Sequence, residues 1–267
     1  MNIPRYITEY RKELELKNYS KNTIKSYISL VRLFLAAFDG TFTEPKKIPV
    51  SVIKQYLRES SSISVLKQNI GAIKRFYRYV VNQPLKFKGV EYPRKQRKLP
   101  RVINHDELLK KINAIPNLKH KAILSLAYCC GLRVSEVVNL KISDIDGKQR
   151  IILILQAKGK KDRMVPVSEN VLVTLREYFK EYRPKEYLFN GQFTTKYSVT
   201  SCQQIFKKYI DKKHSFHHLR HSAFTTMLEK GVDLRVIQTV AGHRSPNTTA
   251  IYTHVSSKFL QSIQTPI

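Results

Sequence analysis

The chain has 267 residues, 42% of them apolar, which is enough to bury one large core or two modest ones. It carries 48 lysines and arginines against 20 acidic residues. The resulting formal net charge of +28 excludes an ordinary balanced surface and indicates a polyanionic partner, of which nucleic acid is the simplest. No stretch approaches the ~20 consecutive apolar residues of a membrane span, and the start, MNIPRYITEY, lacks the pattern of a signal peptide. We therefore expect a cytoplasmic protein that does not cross a membrane.

The first 81 residues have the apolar periodicity of helices. A favourable N-cap, Ser20, precedes a segment whose apolar side chains fall on one helical face. These side chains are Ile24, Tyr27, Ile28, Val31, Phe34, Leu35 and Phe38, and a later segment repeats the pattern with Leu66, Ile70, Ile73, Tyr77 and Val80. Basic residues occupy the other faces. Because the excess charge extends over the whole region, we expect Lys74 and Arg75 to contact DNA phosphates.

The periodicity then stops in a segment with three prolines and many basic residues, NQPLKFKGVEYPRKQRKLPRV. We interpret residues 83–103 as an extended basic linker between a helical domain at 1–82 and a second domain at 104–267. The net charge is +15 before Ile103 (22 basic, 7 acidic) and +13 after it (26 basic, 13 acidic). A clamp of two domains around a duplex predicts such a division, whereas a single basic tail does not.

Within this linker the basic residues are predicted to bind DNA by charge alone. We expect Lys95, Arg97 and Lys98 to contact phosphates, so that they strengthen binding to all DNA sequences alike.

The second half begins with Asn104 and Glu107, which resemble a capping box. An apolar helix, KHKAILSLAYCC, ends at Gly131, and the strand segments RIILILQA and RMVPV flank the turn KGKKD, so together they predict a β-hairpin. From Ser168 onward the pattern is mostly helical again. The sequence therefore predicts a mainly α protein with one small β-sheet in its second domain.

Near the C-terminus, imidazoles crowd around one arginine in the segment SFHHLRHSAFTTML. A zinc site is one interpretation, because His217 and His221 are four residues apart, but no cysteine pair or acidic cluster adds ligands and Arg220 repels a cation. Capping and packing account for His214 and His218 but leave Arg220 unexplained. An inward-facing arginine beside imidazoles favours an anion such as phosphate.

Other groups suited to phosphate chemistry lie in turn positions elsewhere. Arg133 follows a glycine in GLRVSE, Lys158 lies at the hairpin tip in AKGKKDR, and His243 precedes Tyr252 in AGHRSPNTTAIYTHV. Taken singly, each has an ordinary explanation, since a lone tyrosine usually lies in a core and a lone hairpin lysine is usually exposed to solvent.

Taken in this order and spacing, these strings resemble the tyrosine recombinase family, and most closely its Xer-type and simple integrase members. The resemblance covers essentially the whole chain. It implies a helical, SAM-like core-binding domain followed by an α+β catalytic domain. It also implies a site-specific DNA recombinase that cuts and rejoins DNA through a 3′-phosphotyrosyl intermediate and a Holliday junction.

The same resemblance assigns the roles of the central residues. Tyr252 matches the nucleophile that attacks the scissile phosphorus, and Arg133 and Arg220 match the arginines that bind the non-bridging oxygens. Because the covalent ester keeps the energy of the broken bond, no ATP is expected. Because side-chain cations supply the charge, no metal cofactor is expected either.

Proton transfer is assigned to the remaining matched residues. Lys158 matches the general acid for the leaving 5′-oxygen, and Lys160 or Lys161 on the same tip takes this role if the register differs. His217 matches the general base for the tyrosine, and His243 a hydrogen-bond donor to the phosphate. His221 and Glu136 are given supporting roles, the latter because it lies one helical turn after Arg133 and can orient it.

The resemblance further implies a homo-tetramer on two DNA duplexes, in which a C-terminal helix docks on a neighbouring protomer. Phe259, Leu260 and Ile263 are the expected contacts, although a tail folded on its own domain is equally consistent with the sequence. A second recombinase as partner also stays open. The target site does not follow from the residues, nor does the choice among integration, excision, inversion and dimer resolution.

Two other functions remain as alternatives. A type IB topoisomerase uses the same catalytic groups, but the short two-domain layout and the HHLRH and AGH strings favour a recombinase. A non-catalytic basic architectural protein would bind DNA and would be unaffected by Tyr252→Phe.

Overall fold

The computed structural model describes residues 1–94, 100–157, 161–243 and 245–253. The chain divides into two compact units, Met1–Arg97 and Lys98–Ile267. The helices of the first unit are α1 (Ile3–Leu16), α2 (Lys21–Ala37), α3 (Val50–Arg58) and α4 (Ile63–Tyr79). Those of the second unit are α5 (His105–Asn113), α6 (Leu118–Cys129), α7 (Val134–Asn139), α8 (Glu169–Tyr182), α9 (Val199–Tyr209), α10 (His217–Glu229), α11 (Leu234–Ala241) and α12 (Pro246–Thr249).

The N-terminal unit is a helical bundle in which α2 packs against α1 and α4. Ser20 caps α2 by accepting a hydrogen bond from the backbone N–H of Thr23, as its position predicts. The predicted apolar faces of α2 and α4 are buried, except for four side chains that are only partly buried, Tyr27, Phe38, Leu66 and Val80. The buried Tyr10 donates its hydroxyl hydrogen to the carbonyl of Ala72 at 2.9 Å. The phenol is therefore hydrogen-bonded, and its burial does not carry the desolvation penalty of an unpaired polar group.

Part of the segment that was predicted as a linker, 83–103, instead belongs to the two cores. Residues 84–87 form a 3-10 turn, and Phe87 and Val90 are buried in the core of the N-terminal unit. Ile103 is buried in the core of the C-terminal unit. The N-terminal unit therefore extends past residue 82, because Phe87 and Val90 pack into its core. Their spacing is too irregular to show a helical period in the sequence.

The C-terminal unit contains one antiparallel sheet in the order β1-β2-β3. Its strands are β1 (Ile145–Asp146), β2 (Ile151–Ala157) and β3 (Lys161–Pro166). Ile152 pairs with Val165 and Ile154 with Arg163, and all four side chains are buried. The predicted hairpin is thus present, with a short additional strand at its edge, and it carries one buried arginine on its inner face.

Helix α6, which ends two residues before Gly131, lies at the centre of the C-terminal unit and packs against α5, α8 and α10. Asn104 caps the preceding helix α5 as predicted, but Glu107 pairs with Lys111 rather than completing a capping box. Gly131 adopts φ +58°, and a Cβ placed there would lie 2.6 Å from Cε1 of Phe224. Only glycine therefore permits this close contact between the end of α6 and helix α10.

This contact predicts a stability difference between two glycine substitutions. Gly231 also has a positive φ, of +81°, but a Cβ there would meet nothing within 4 Å. Gly231→Ala should cost only backbone strain, about 1–2 kcal/mol, whereas Gly131→Ala adds overpacking of about 1–3 kcal/mol. Urea unfolding of both variants measures this difference, and equal losses of stability would contradict the proposed contact.

The fold is mainly helical with one small sheet, as the sequence predicts. In the ranges that the structure describes, no helix is both long and apolar enough to span a membrane.

Candidate active site

Arg133 and Glu136 form the first part of the site, at the start of α7. Arg133 is the N-cap of this helix, and its backbone N–H donates to Glu136 Oε2 at 2.9 Å. Its guanidinium Nη1 donates to Glu136 Oε1 at 2.7 Å, while about a fifth of the Arg133 side chain stays exposed. The carboxylate therefore holds Arg133 at the protein surface in one orientation, as the sequence predicts.

Arg220 lies deeper, on α10, and is 1% exposed. Its guanidinium donates to the carbonyls of Gly131, at 2.8 Å, and Ala241, while its carbon atom Cζ lies 4.8 Å from the centre of the Phe224 ring. The nearest carboxylate oxygen, on Glu136, is 4.0 Å away. Burial and the neighbouring Arg133 lower the pKa of Arg220 to about 9, so it still carries its charge at neutral pH, and it shares the carboxylate of Glu136 with Arg133.

A third arginine, which the sequence analysis did not single out, completes the cluster. Arg163 on β3 binds Glu136 with both of its terminal nitrogens, at 2.9 and 2.8 Å. Burial alone would raise the pKa of Glu136, but the guanidinium groups of Arg163 and Arg133 lower it to about 2. The signal was present in the sequence, because residue 163 shares the inner face of its strand with Val165.

His243 contacts Arg220 from the turn after α11. Its Nε2 lies 3.2 Å from Arg220 Nη2, and its Nδ1 lies 2.9 Å from the hydroxyl oxygen of Thr249. Because a guanidinium can only donate, Nε2 must accept and the ring proton is assigned to Nδ1. Burial and the charges of Arg220 and Arg133 lower the pKa of His243 to about 4, which keeps this imidazole neutral.

Tyr252 ends a short 3-10 turn that follows α12 and is 1% exposed. Its hydroxyl lies 3.1 Å from Nδ1 of His221, and its ring stacks on His243 with an interplanar angle of 15°. Burial raises the pKa of Tyr252 to about 12, against the opposing effect of Arg220. The phenol is therefore neutral and covered in this structure.

His217 and His221, which lie one helical turn apart on α10, have different contacts. His221, given only a supporting role from the sequence, is the one that binds Tyr252, and burial lowers its pKa to about 4. His217, predicted as the general base, is exposed and its ring packs edge-on against that of His221 at a centroid distance of 4.6 Å. Which imidazole meets the phenol depends on how the turn at 250–252 packs, and the sequence carries no signal of that.

The other two imidazoles of the cluster have local partners. His214 binds Asp211 at 2.8 Å, and His218 binds the backbone N–H of Ser215 at 2.9 Å. In the part of the chain that the structure describes, no group of three or more histidine, cysteine or acidic side chains is arranged to hold a metal ion.

Several predicted residues fall outside the described ranges. They are Lys158, predicted at a hairpin tip, Lys95, Arg97 and Lys98 of the predicted linker, and Phe259, Leu260 and Ile263 near the C-terminus. Of the predicted DNA contacts in the N-terminal unit, Lys74 is half-buried, whereas Arg75 donates to the hydroxyl of Tyr19 at 3.0 Å and to the carbonyl of Gly71 at 2.9 Å. Their roles in DNA binding stay predictions.

The neutral imidazoles predict how stability depends on pH. His221 and His243 have folded-state pKa values of about 4, against about 6.5 for an unfolded histidine, so the unfolded chain binds more protons between these values. Stability should therefore be complete above pH 6.5 and fall as the pH drops towards 4, by up to about 3 kcal/mol per imidazole.

Thermal unfolding at pH 7 and pH 5 measures this loss. His243→Asn keeps a polar group near Thr249 but cannot titrate, so its melting temperature should drop less between the two pH values than that of the wild type. Equal drops in both proteins would show that His243 does not contribute to the pH dependence.

Comparison with known proteins identifies similar chains. The family model of the phage integrase family matches residues 101–258, and that of the phage integrase N-terminal SAM-like domain matches residues 7–87. The tyrosine recombinase XerA of Pyrococcus horikoshii is 33% identical over 96% of this chain and 90% of its own length. The tyrosine recombinase XerD of Listeria innocua is 30% identical over 92% of each chain.

Solved structures show the same similarity in the fold. A crystal structure of XerA recombinase, 29% identical, superposes with a TM-score of 0.57 over 97% of this chain and 96% of that one. A structure of XerH site-specific recombinase bound to its difH substrate, 23% identical, has the same fold with a TM-score of 0.74 over 95% of this chain and 82% of that one.

Proposed function

This chain belongs to the phage integrase family and is a tyrosine site-specific recombinase, and from that premise we propose that it cuts and rejoins double-stranded DNA through a covalent bond between Tyr252 and a DNA 3′-phosphate. The observation that carries the proposal is a surplus of buried positive charge beside a phenol. Arg133, Arg163 and Arg220 have ion pairs to only one carboxylate, Glu136, among the residues that the structure describes.

The charge surplus fits a phosphodiester. Arg163 and Glu136 compensate each other, so Arg133 and Arg220 are left as cations whose charge an incoming anion can neutralise. During attack at phosphorus, negative charge grows on the two non-bridging oxygens, and cations already held in place stabilise it without reorganisation. Arg220 is fixed by two carbonyls and Arg133 by one carboxylate, which supports this role for both.

The covalent step balances without an external energy source. The oxygen of Tyr252 forms a bond to phosphorus as the bond to the 5′-oxygen of the next nucleotide breaks. One phosphodiester is thus exchanged for another, the phenol loses a proton, and the 5′-oxygen gains one. Attack of a 5′-hydroxyl on the phosphotyrosine reverses the step, so neither ATP nor a metal cofactor is required in this scheme.

The phenol must move before it can react. Tyr252 is covered and bound to His221, whose pKa of about 4 makes it a hydrogen-bond acceptor but a poor base. We propose that DNA binding moves the turn at 250–252 outward. This movement brings Tyr252 away from His221 and towards the exposed His217, which lies one turn earlier on α10. A bound phosphate also raises the pKa of a nearby imidazole, so His243 can then donate a hydrogen bond to the phosphate oxygen.

The proposed general acid is Lys158, carried by the turn between β2 and β3. Both strands pack into the C-terminal unit through Ile152, Ile154 and Val165, so the tip of the hairpin starts from a fixed base. A lysine brought close to the arginine cluster would lose its proton more readily than an isolated one, which suits proton transfer to the leaving 5′-oxygen.

Assembly is proposed to follow the reaction. Exchange of strands between two duplexes needs four nucleophiles, so we propose a homo-tetramer on DNA in which residues 254–267 contact a neighbouring protomer. A second recombinase could supply half of the four subunits. Mass photometry of the protein on DNA that carries its site distinguishes these cases, because a lone chain reaches four copies only in the first.

A nicked duplex tests the proposed chemistry. A nick shortly after the cleavage site on the same strand lets the short fragment that carries the new 5′-hydroxyl diffuse away. Rejoining is then prevented, so the covalent protein–DNA complex accumulates and is seen on a denaturing gel. Duplexes that tile the DNA beside the protein's own gene, incubated in EDTA, should give an adduct at one site. An adduct that requires added metal, or its absence from every duplex despite tight binding, would overturn the proposed mechanism.

A plasmid assay separates the alternatives. A type IB topoisomerase should relax supercoiled DNA without a particular site, whereas a recombinase should act only on plasmids that carry its site. A purely architectural protein should bind and bend DNA without breaking it.

A further inference from the structure

Arg163 has a set of contacts that no other arginine of the described chain shares. The residue is 8% exposed, and its side chain lies on the inner face of β3. Its two terminal nitrogens each bind one oxygen of Glu136, and its Nε donates to the carbonyl of Val240 at 2.8 Å. All three of its donor nitrogens are thus bonded, and they join β3 to α7 and α11.

The first of these contacts reaches Arg133. Glu136 Oε1 accepts from both Arg163 and Arg133, at 2.9 and 2.7 Å, and Oε2 accepts from Arg163 and from the backbone N–H of Arg133. The carboxylate that orients Arg133 is therefore itself held by a rigid two-point contact to Arg163.

The second contact reaches His243. Val240 lies near the end of α11, and the next turn contains Gly242 at φ +61°, where an added Cβ would lie 3.0 Å from Cδ of Arg163. His243 follows directly. The Arg163 side chain therefore fixes both the last turn of α11, through a hydrogen bond, and the glycine before His243, through close packing.

We propose that Arg163 is a positioning residue for strand cleavage. It fixes the positions of Arg133 and His243 relative to each other and relative to the hairpin that carries Lys158. This inference rests on the proposed function. Arg163 is too buried, and its donor nitrogens are too fully occupied, to bind the DNA phosphate itself. It acts through Glu136 and through the end of α11.

The electrostatic surroundings of Glu136 give the inference a distinctive signature. Charged or titratable groups face this carboxylate from three elements: Arg133 on α7, Arg163 on β3, and Arg220 and His217 on α10. Burial opposes ionisation of Glu136, and Arg163 is the largest influence that restores it. Removing Arg163 should therefore raise the pKa of Glu136 and add an acidic limb to the pH dependence of cleavage.

Single-turnover cleavage of a nicked duplex tests the proposal at saturating protein. Arg163→Met should lower the rate constant roughly 100-fold, the typical effect of a small misplacement of reacting groups, with little change in DNA affinity. Arg163→Lys keeps the charge but cannot make the two-point contact, so it should fall between wild type and Arg163→Met. Arg176→Met removes an exposed arginine that pairs with Glu169 and should react like wild type.

A double-mutant cycle with Glu136→Gln separates positioning from folding. If the two residues act as one unit, Arg163→Met should cost far less in the Glu136→Gln background, and the acidic limb should vanish there. A wild-type rate constant in folded Arg163→Met would overturn the proposal, as would a loss of reaction amplitude at an unchanged rate constant. If Arg163→Met does not fold, the same criteria apply to Arg163→Lys.

Carbon NMR of the Glu136 carboxyl group gives a readout independent of activity. In wild type it should stay ionised from pH 4 to 8, whereas in Arg163→Met, or in Arg163→Lys to a lesser degree, it should titrate within or near this range. Absence of an adduct with the wild-type protein would count against the proposed function, and the NMR titration would still decide whether Arg163 controls Glu136.

Discussion

Tyr252→Phe should abolish the covalent protein–DNA adduct while DNA affinity stays within about twofold of wild type. The substitution removes one oxygen atom, which is the proposed nucleophile, and leaves the ring that stacks on His243 and packs edge-on against Phe224. No neighbouring phenol can replace it within the described site, since the other tyrosines of this unit lie outside the arginine cluster. Adduct formation should drop below detection, by at least about 10⁴-fold in rate.

The matched control is Tyr209→Phe. Tyr209, at the end of α9, also places its hydroxyl near Nδ1 of a histidine, at 3.3 Å, but that histidine is His120 on the first turn of α6, outside the proposed site. Both variants lose one tyrosine–histidine hydrogen bond, worth about 1 kcal/mol of stability, so any difference in cleavage reflects the chemistry of Tyr252. If Tyr252→Phe formed the adduct at the wild-type level, another residue would be the nucleophile.

Arg220→Lys should lower the cleavage rate constant by about 10²–10³-fold. A lysine has one ammonium group on a flexible stem, so it cannot donate to the carbonyls of Gly131 and Ala241 and still present a second donor to phosphate. The positive charge is retained, which makes the variant a test of geometry rather than of net charge.

Arg176→Lys serves as the control for this substitution, because Arg176 is exposed and, among the described residues, forms an ion pair only with Glu169. It should cleave like wild type and bind DNA with the same salt dependence. If Arg220→Lys reacted within threefold of wild type, charge alone would suffice at this position and the proposed two-carbonyl anchor would have no catalytic role.

Local sequence signals were enough to predict most of the fold. Caps such as Ser20 and Asn104, the apolar periods of α2 and α4, and the hairpin segments each depend on neighbouring residues only, and each element formed where it was predicted. The short strand β1 was missed because a two-residue strand has no period. The packing of Phe87 was missed because proline and glycine around it resemble a linker.

The site was predictable in its residue types more than in its contacts. The depth of Arg220, the bond between His221 and Tyr252, and the role of Arg163 all depend on segments that are distant in sequence. The spacing of residues along one helix placed His217 and Arg220 on α10, but it could not tell which imidazole the turn at 250–252 would meet.

The central claim is that Tyr252 forms a bond to a DNA 3′-phosphate, and the most direct measurement identifies that bond. The adduct formed in EDTA would be isolated, digested with protease and nuclease, and analysed by tandem mass spectrometry. The account predicts one nucleotide-bearing peptide, modified on Tyr252 and linked through a 3′-phosphate. A modification on any other residue, or a link through a 5′-phosphate, would contradict it.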